Sequence, residues 1–191
     1  MTLLASVGSA QALDGREAGL QAAHQALNRL GAAAPSFGVV VASHQYQARE
    51  VLNGVSSLLG DVPIIGFSSP AGITATRQNP HSVIVGLMSG DFIAEAHWLP
   101  GYAQSGRDTA SKLMQYTSSR NEGQSILFFA DGFNGDAEQF CSSLSSISIP
   151  IAGALSSGDL HTGTTYQIAG SQTGSGGLAA AVLRGNLHVG I

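Results

Sequence analysis

Charge is what this sequence has least of. Only 10% of its 191 residues are Asp, Glu, Lys or Arg, against about a quarter in an ordinary soluble domain. The eight Lys and Arg are scattered and the formal net charge is −4. That excludes a nucleic-acid partner, because phosphate binding needs clustered cations. It equally excludes a polybasic contact with a membrane surface. Cysteine is almost missing: Cys141 stands alone, so no disulfide can form within the chain, and a reducing, cytoplasmic setting is expected. No apolar run is long enough to span a bilayer. Met1 to Ala12 ends in small residues but lacks a basic start and a long apolar stretch, so it is not read as a signal peptide. His24, His44, His81, His97, His161 and His188 occur singly, without metal-ligand spacing. No metal or cofactor is expected.

What is present is glycine, 25 residues, and a hydrophobic content of 43%. Together they suggest much buried strand and many tight turns. So little charge also hints that part of the surface is covered by something else in the intact protein. The length suits one compact domain over residues 1–191.

Leu3 to Ser9 reads as a short buried strand. Asp14 to Leu30 carries Ala18, Ala22, Ala26 and Leu30 at helical spacing, and Gly31 follows as a stop. Phe37 to Ala42 is a continuous apolar run, the pattern of a strand buried on both faces. Gln47 to Leu59 puts Val51, Leu52, Val55, Leu58 and Leu59 on one helical side, closed by Gly60. Val62 to Phe67 is another buried strand, and Ser68 to Gly72 a turn. Ser82 to Met88 and Phe92 to Leu99 read as strands of one hairpin, joined by Ser89-Gly90-Asp91.

The order then begins again. Asp108 to Ser119 and Ala137 to Leu144 read as helices. Ser125 to Ala130, Ile149 to Ala152, Thr164 to Ala169 and Leu178 to Leu183 read as strands, with Ala154 to Gly158 a small-residue turn and Gly170 to Gly177 a flexible hairpin turn joining the last two. Arg184-Gly185-Asn186 turns into a last strand, Leu187 to Ile191. This final hairpin is expected to present an apolar edge that wants further chain or a second copy beside it.

The second half restates the first. Val39-Val40-Val41-Ala42-Ser43 matches Leu127-Phe128-Phe129-Ala130-Asp131, and Val62-Pro63-Ile64-Ile65-Gly66 matches Ile149-Pro150-Ile151-Ala152-Gly153. Gly8-Ser9-Ala10-Gln11 matches Gly101-Tyr102-Ala103-Gln104, and Gly86 to Asp91 matches Ala181 to Asn186. The expected fold class is therefore α/β. Two pseudo-symmetric repeats, about 3–90 and 91–191, should form a mixed sheet core covered by helices.

The repeat also locates a candidate site. Ligands in open α/β sheets sit beyond the carboxyl ends of the strands. Both Pro-Ile-X-Gly steps open into small polar turns, one with Gly66, Ser68, Ser69 and Gly72, the other with Gly153, Ser156, Ser157 and Asp159. Small residues let a ligand approach backbone N–H groups and hydroxyls. Ser43, His44, Asp131 and Phe133, at the ends of the preceding strands, should open on the same side.

Val62 to Gly72 resembles the first glycine-serine step of the N-terminal part of the FIST domain. Gly153 to Asp159 resembles that family's second step, with a single Asp159 where the family carries an acidic pair, and Ser175 to Gly185 resembles its closing strand. The resemblance implies an intracellular sensory domain that binds a small polar ligand, an amino acid or related metabolite. It implies a signalling protein as partner. Family members continue into a C-terminal part, and Ile191 falls in what reads as the first strand beyond the N-terminal one, so that part is the other expected partner.

Rival readings are enzymatic or structural. Ser68 as the nucleophile of a hydrolase or transferase lacks the glycine two residues on, where Pro70 stands; Ser157 is the other turn serine open to that reading. Cys141, beside Phe140 in a helix, reads as a buried core cysteine rather than a catalytic thiol. Asp131 to Asp136 looks like a fragment of a calcium loop without its distal glutamate, so helix capping by Asn134 or Asp136 is preferred. The third reading is a structural or protein-interaction domain completed by its C-terminal part.

Overall fold

The computed structural model describes residues 3–73, 78–117, 124–145 and 147–185. The first half runs β1 (Leu4–Ala10), α1 (Gly15–Leu30), β2 (Phe37–Ser43), α2 (Ala48–Leu59), β3 (Ile64–Ser69), β4 (Gly72–Ile73), β5 (Gln78–Asn79) and β6 (Val83–Ser89). The second runs β7 (Phe92–Leu99), α3 (Gly106–Thr117), β8 (Gln124–Asp131), α4 (Ala137–Ser143), β9 (Ile151–Ser156), β10 (Gln167–Ala169), β11 (Gln172–Gly174) and β12 (Leu178–Gly185).

The helices begin and end where local chemistry dictates. Asp14 caps α1 by accepting the Glu17 N–H at 2.8 Å, satisfying one of the free amides of the first turn. Gly31 and Gly60 close α1 and α2 at φ 73 and 58, conformations that a side chain disfavours. Of the apolar face foreseen for α2, Val51, Leu52, Val55 and Leu59 are buried while Leu58 stays exposed.

The core is mixed α/β and helix-covered, as expected, but the strands divide into two sheets instead of gathering in one. The first has the order β1-β6-β2-β3-β10-β11 and the second β7-β12-β8-β9. Strand parity assigns the faces. Val40, Ala42, Ile64, Val83, Val85 and Leu87 pack with Ala18, Ala22, Val51 and Val55 of α1 and α2. Phe37 and Ile65 point the other way and meet Phe92, Phe129, Ala179 and Ala181 of the second sheet. Ile126, Phe128, Leu178 and Ala180 then pack with Ala110, Leu113 and Phe140 of α3 and α4. The layers are helices, sheet, sheet, helices.

Within these layers the two halves share a strand order. β1-β6-β2-β3 has antiparallel, antiparallel and parallel neighbours, and β7-β12-β8-β9 repeats that sequence of pairings.

Two expected hairpins are absent, for one reason. β6 is bonded along both edges, to β1 and to β2, so no edge remains for β7. Ser89-Gly90-Asp91 therefore arches from the first sheet to the second, and Phe92 enters the inter-sheet core. Likewise β10 lies in the first sheet between β3 and β11, while β12 lies in the second between β7 and β8. The segment from Gly170 to Gly177 is thus more than a turn, since it contains β11. The apolar edge foreseen for Leu178 onward is also corrected: Leu178 to Val182 are buried in mid-sheet. Leu187 to Ile191 lie outside the described residues.

Small residues set the layer spacing. A Cβ on Gly54 would stand 2.0 Å from the Arg16 carbonyl oxygen, and one on Gly8 would stand 2.1 Å from that of Ala22. Both helices are therefore seated at backbone contact. Gly54→Ala is expected to destabilise the fold by about 1–3 kcal/mol, the usual cost of overpacking. Gly86→Ala is the control, because its Cβ meets only the Val39 oxygen at 3.9 Å; it should be neutral or raise stability by up to about 1 kcal/mol. Urea titration of both variants checks the pair.

Candidate functional site

The polar residues of the interior collect where the carboxyl ends of β2, β3, β8 and β9 converge. Parallel register sets Ser43 beside Ser69 and Asp131 beside Ser156. The two strand pairs belong to different sheets, yet their turns touch. Ser157 N–H donates to the Ser68 carbonyl at 2.9 Å, and the Ser68 hydroxyl donates to the Ser157 carbonyl at 2.9 Å.

Tyr166 extends this joint. Its N–H donates to Ser68 Oγ at 2.9 Å, its carbonyl accepts the Ser68 N–H at 2.9 Å, and its hydroxyl donates to the Ser43 carbonyl at 2.8 Å. Burial holds the Tyr166 phenol well above its usual range, so it stays protonated. Gln167, fully buried, donates from Nε2 to Ser156 Oγ at 2.7 Å and to Thr165 Oγ1 at 3.2 Å. Ser156 Oγ in turn donates to the Ala130 carbonyl at 3.0 Å.

Asp131 is the second anchor and is 1% exposed. Its Oδ1 accepts the backbone N–H groups of Phe133 and Asn134 at 2.9 and 3.0 Å and the Asn134 amide at 3.2 Å. Its Oδ2 accepts the Gly176 N–H at 2.8 Å and the Ser175 hydroxyl at 3.2 Å. Burial pushes this carboxyl upward, but hydrogen bonds from Phe133, Gly176, Thr165 and Asn134 outweigh it and leave the pKa below the ordinary carboxylate value. Both lone-pair sets are spent on the protein, so this loop is an internal clamp. The capping role foreseen beside it falls to Asp136, which accepts the Gln139 N–H at 2.8 Å.

Two polar atoms of this region are buried without a partner among the described residues, His44 Nδ1 and Gln167 Oε1. His44 touches both turns. Its N–H donates to the Ser69 carbonyl at 3.1 Å, and its Cβ lies 3.3 Å from where a Gly158 Cβ would stand.

Among the residues singled out from sequence, Ser43, His44, Ser68, Ser69, Asp131, Ser156 and Ser157 are drawn together here. Gly66 lies inside β3 opposite Val40. Gly72 packs on Ser82, and Gly153 lies midway along β9 facing the Phe128 ring. Phe133 is half-buried on the Asp131 loop. Asp159 closes its own turn by accepting the His161 N–H at 2.9 Å. Thr165, Tyr166 and Gln167 were missed, because Thr164 to Ala169 reads simply as a strand. A glutamine set between Tyr166 and Ile168 in a segment read as a strand was the available signal. Cys141 corrects the sequence reading: it is exposed, because the seven-residue α4 buries Phe140 alone. Among the described residues no three His, Cys, Asp or Glu side chains gather as metal ligands, and no helix is long and apolar enough to cross a membrane.

The sequence pattern of the FIST N domain matches residues 36–191. No curated protein matches the chain. Among solved structures the chain is similar to the crystal structure of a cyanuric acid hydrolase from A. caulinodans, at 11% identity and a TM-score of 0.45, over 94% of this chain and 70% of that one.

Asp131→Asn should destabilise the protein by about 2–4 kcal/mol, since charge-assisted bonds are each worth about 1.5–3 kcal/mol and some geometry survives. The wild-type carboxyl is depressed in the folded state. Its contribution is therefore complete above the ordinary carboxylate value of the unfolded chain and is lost as pH falls through the lower folded one. Denaturant midpoints from neutral pH downward should show the gap between the two proteins closing in acid.

Proposed function

The chain belongs to the FIST N domain family, a family of sensory domains, and we propose that it is a cytoplasmic module that binds a small polar ligand at the meeting of its two turns. The observation that carries this reading is the Ser68–Ser157 joint with two unspent buried polar atoms beside it, His44 Nδ1 and Gln167 Oε1. Buried polar groups are nearly always paired. A ligand that enters between the turns supplies what the protein leaves open. Gln167 Oε1 is an acceptor that suits an ammonium or amide N–H, and His44 Nδ1 serves as donor or acceptor according to its tautomer. An amino acid or a related metabolite has both kinds of group. Because the turns come from different sheets, such a ligand bridges them, and its differential affinity for their arrangements is what a signalling partner reads.

Binding is favoured over catalysis by the state of the serines. The Ser68 hydroxyl donates to Ser157 and accepts from Tyr166, so it lacks the imidazole or amine that a nucleophile requires. The same bonds make Ser68 and Ser156 unsuitable for testing the site, because a leucine at either would leave buried partners unpaired and attack the fold.

His44 provides the cleaner test. A thermal-shift screen of amino acids and small organic acids should identify a compound that raises stability, as any ligand selective for the folded state must. Calorimetric titration of that compound into His44→Ala should show affinity lower by about tenfold or more, equivalent to about 1.4 kcal/mol, with an unchanged circular dichroism spectrum. A folded His44→Ala protein that binds as tightly as wild type would remove this site from consideration.

A further inference from the structure

The strand edges of the two sheets are not equally protected. At β1 the Arg29 guanidinium donates to the Val7 carbonyl and blunts the edge. β7 carries Glu95 and His97, with Arg184 paired to Glu95 at 2.6 Å. β11 is only three residues long. β9 has none of these devices. Among the described residues it pairs only with β8, and Ala152, Gly153, Ala154 and Leu155 are all exposed, Leu155 at 46%. Successive exposed residues point to opposite faces, so both faces of the strand are open as well as its edge. No Asp, Glu, Lys or Arg occurs from Gln139 through Gly158. An uncharged, exposed edge of this kind is a template for strand addition, and natural proteins seldom leave one bare.

The hydrogen-bond register fixes what this edge offers. The Ile126 N–H donates to the Pro150 carbonyl at 2.9 Å, as the Gly38 N–H does to the Pro63 carbonyl in the first sheet. Main-chain groups alternate in direction along a strand. Those of Ala152 and Ala154 therefore turn toward β8, and those of Ile151, Gly153 and Leu155 turn outward. The equivalent outward groups of β3 are spent on the β10 segment. There the Ile64 carbonyl accepts the Gly170 N–H at 2.8 Å, the Ser68 N–H donates to the Tyr166 carbonyl at 2.9 Å, and Gly66 lies opposite Ile168. On β9 no described residue takes them.

We propose that β9 docks against the β9 of a second copy of this chain, antiparallel, about a twofold axis at Gly153. The pairing is self-complementary. It sets Ile151 opposite Leu155 of the second copy and Gly153 opposite its own image, so the outward N–H and carbonyl groups of all three residues meet as hydrogen-bonded pairs. Ala152 falls opposite Ala154 of the second copy, in the closer kind of pair that small side chains suit. Charge selects this occupant. A twofold axis brings a patch against its own image, so a charged edge would repel itself, and this edge is neutral over the strand and the residues that flank it. Main-chain hydrogen bonds supply the affinity.

The test is the mass of the intact chain by light scattering and sedimentation over rising concentration. Wild type should shift from monomer to dimer. The double variant Ala152→Lys, Ala154→Lys changes positions already open to solvent and sets like charges opposite each other across the axis. Its dissociation constant should rise by about tenfold or more with unchanged helix content. Mixing it with the double variant Ala152→Glu, Ala154→Glu should restore association, because the register then sets each lysine against a glutamate. Leu160→Lys, at an 83% exposed position outside β9, should associate like wild type. Hydrogen exchange should show the outward amides of Ile151, Gly153 and Leu155 gaining protection as wild type dimerises. A wild type that stays monomeric with these amides exchanging freely overturns the proposal. So does a dimer that survives both lysines, a mixture of the two charged variants that stays monomeric, or an edge protected only when a different protein is added.

Discussion

A β-strand has two hydrogen-bonding edges, and β6 uses both. The rest of this structure follows from that saturation. With β1 on one side and β2 on the other, the chain leaving β6 cannot fold back as a hairpin. It must leave the sheet and found a second one. β7 then takes the edge position that β1 holds in the first half, and β12 later fills the central place that β6 holds there. The inter-sheet core of Phe37, Ile65, Phe92 and Phe129 is the product. Neither sheet alone covers its inner face, so the halves are stable only together.

The same division of strands creates the polar centre. Chain must return from the second sheet to the first between β9 and β10, and Ser157 to Tyr166 is that crossing. Backbone amides on a crossing have no ladder to join, so they need other partners. Ser68 provides them, its carbonyl accepting the Ser157 N–H and its hydroxyl the Tyr166 N–H, while the buried Gln167 side chain ties the Ser156 and Thr165 hydroxyls. Asp131 performs the equivalent service for the loops at Asn134 and Gly176. A candidate binding site at this point is therefore also the structural joint of the molecule. That is a suitable arrangement for a sensor, since whatever occupies the joint alters how the halves are held.

Crossing also breaks the equivalence of the halves. β10 and β11 extend the first sheet beyond β3, and no described strand extends the second beyond β9. The exposed residues of β9 and the closed packing of β3 have the same origin: one repeat has lent its hairpin to the other.

Much of this was legible in the residues. Alanines at helical spacing and the Asp14 and Gly31 boundaries defined α1, and the apolar runs at Phe37 and Val62 defined β2 and β3. These are local properties, set by side-chain period, capping and φ preference within a few residues. The matching Pro-Ile-X-Gly steps also announced two equivalent turns, and Ser68 and Ser157 do meet. Tertiary structure alone decided which strand lies beside which. Ser89-Gly90-Asp91 has the composition of a hairpin turn, and only the prior claim of β1 and β2 on β6 makes it an arch. Asp131 looked available to a ligand, but its own loop takes Oδ1 and Ser175 and Gly176, distant in sequence, take Oδ2; Cys141 looked buried until α4 proved too short to cover it. Residue type and spacing determine what a segment can form. Competition among segments for a limited number of edges and faces determines what it does form, and that competition is settled only when the whole chain is packed.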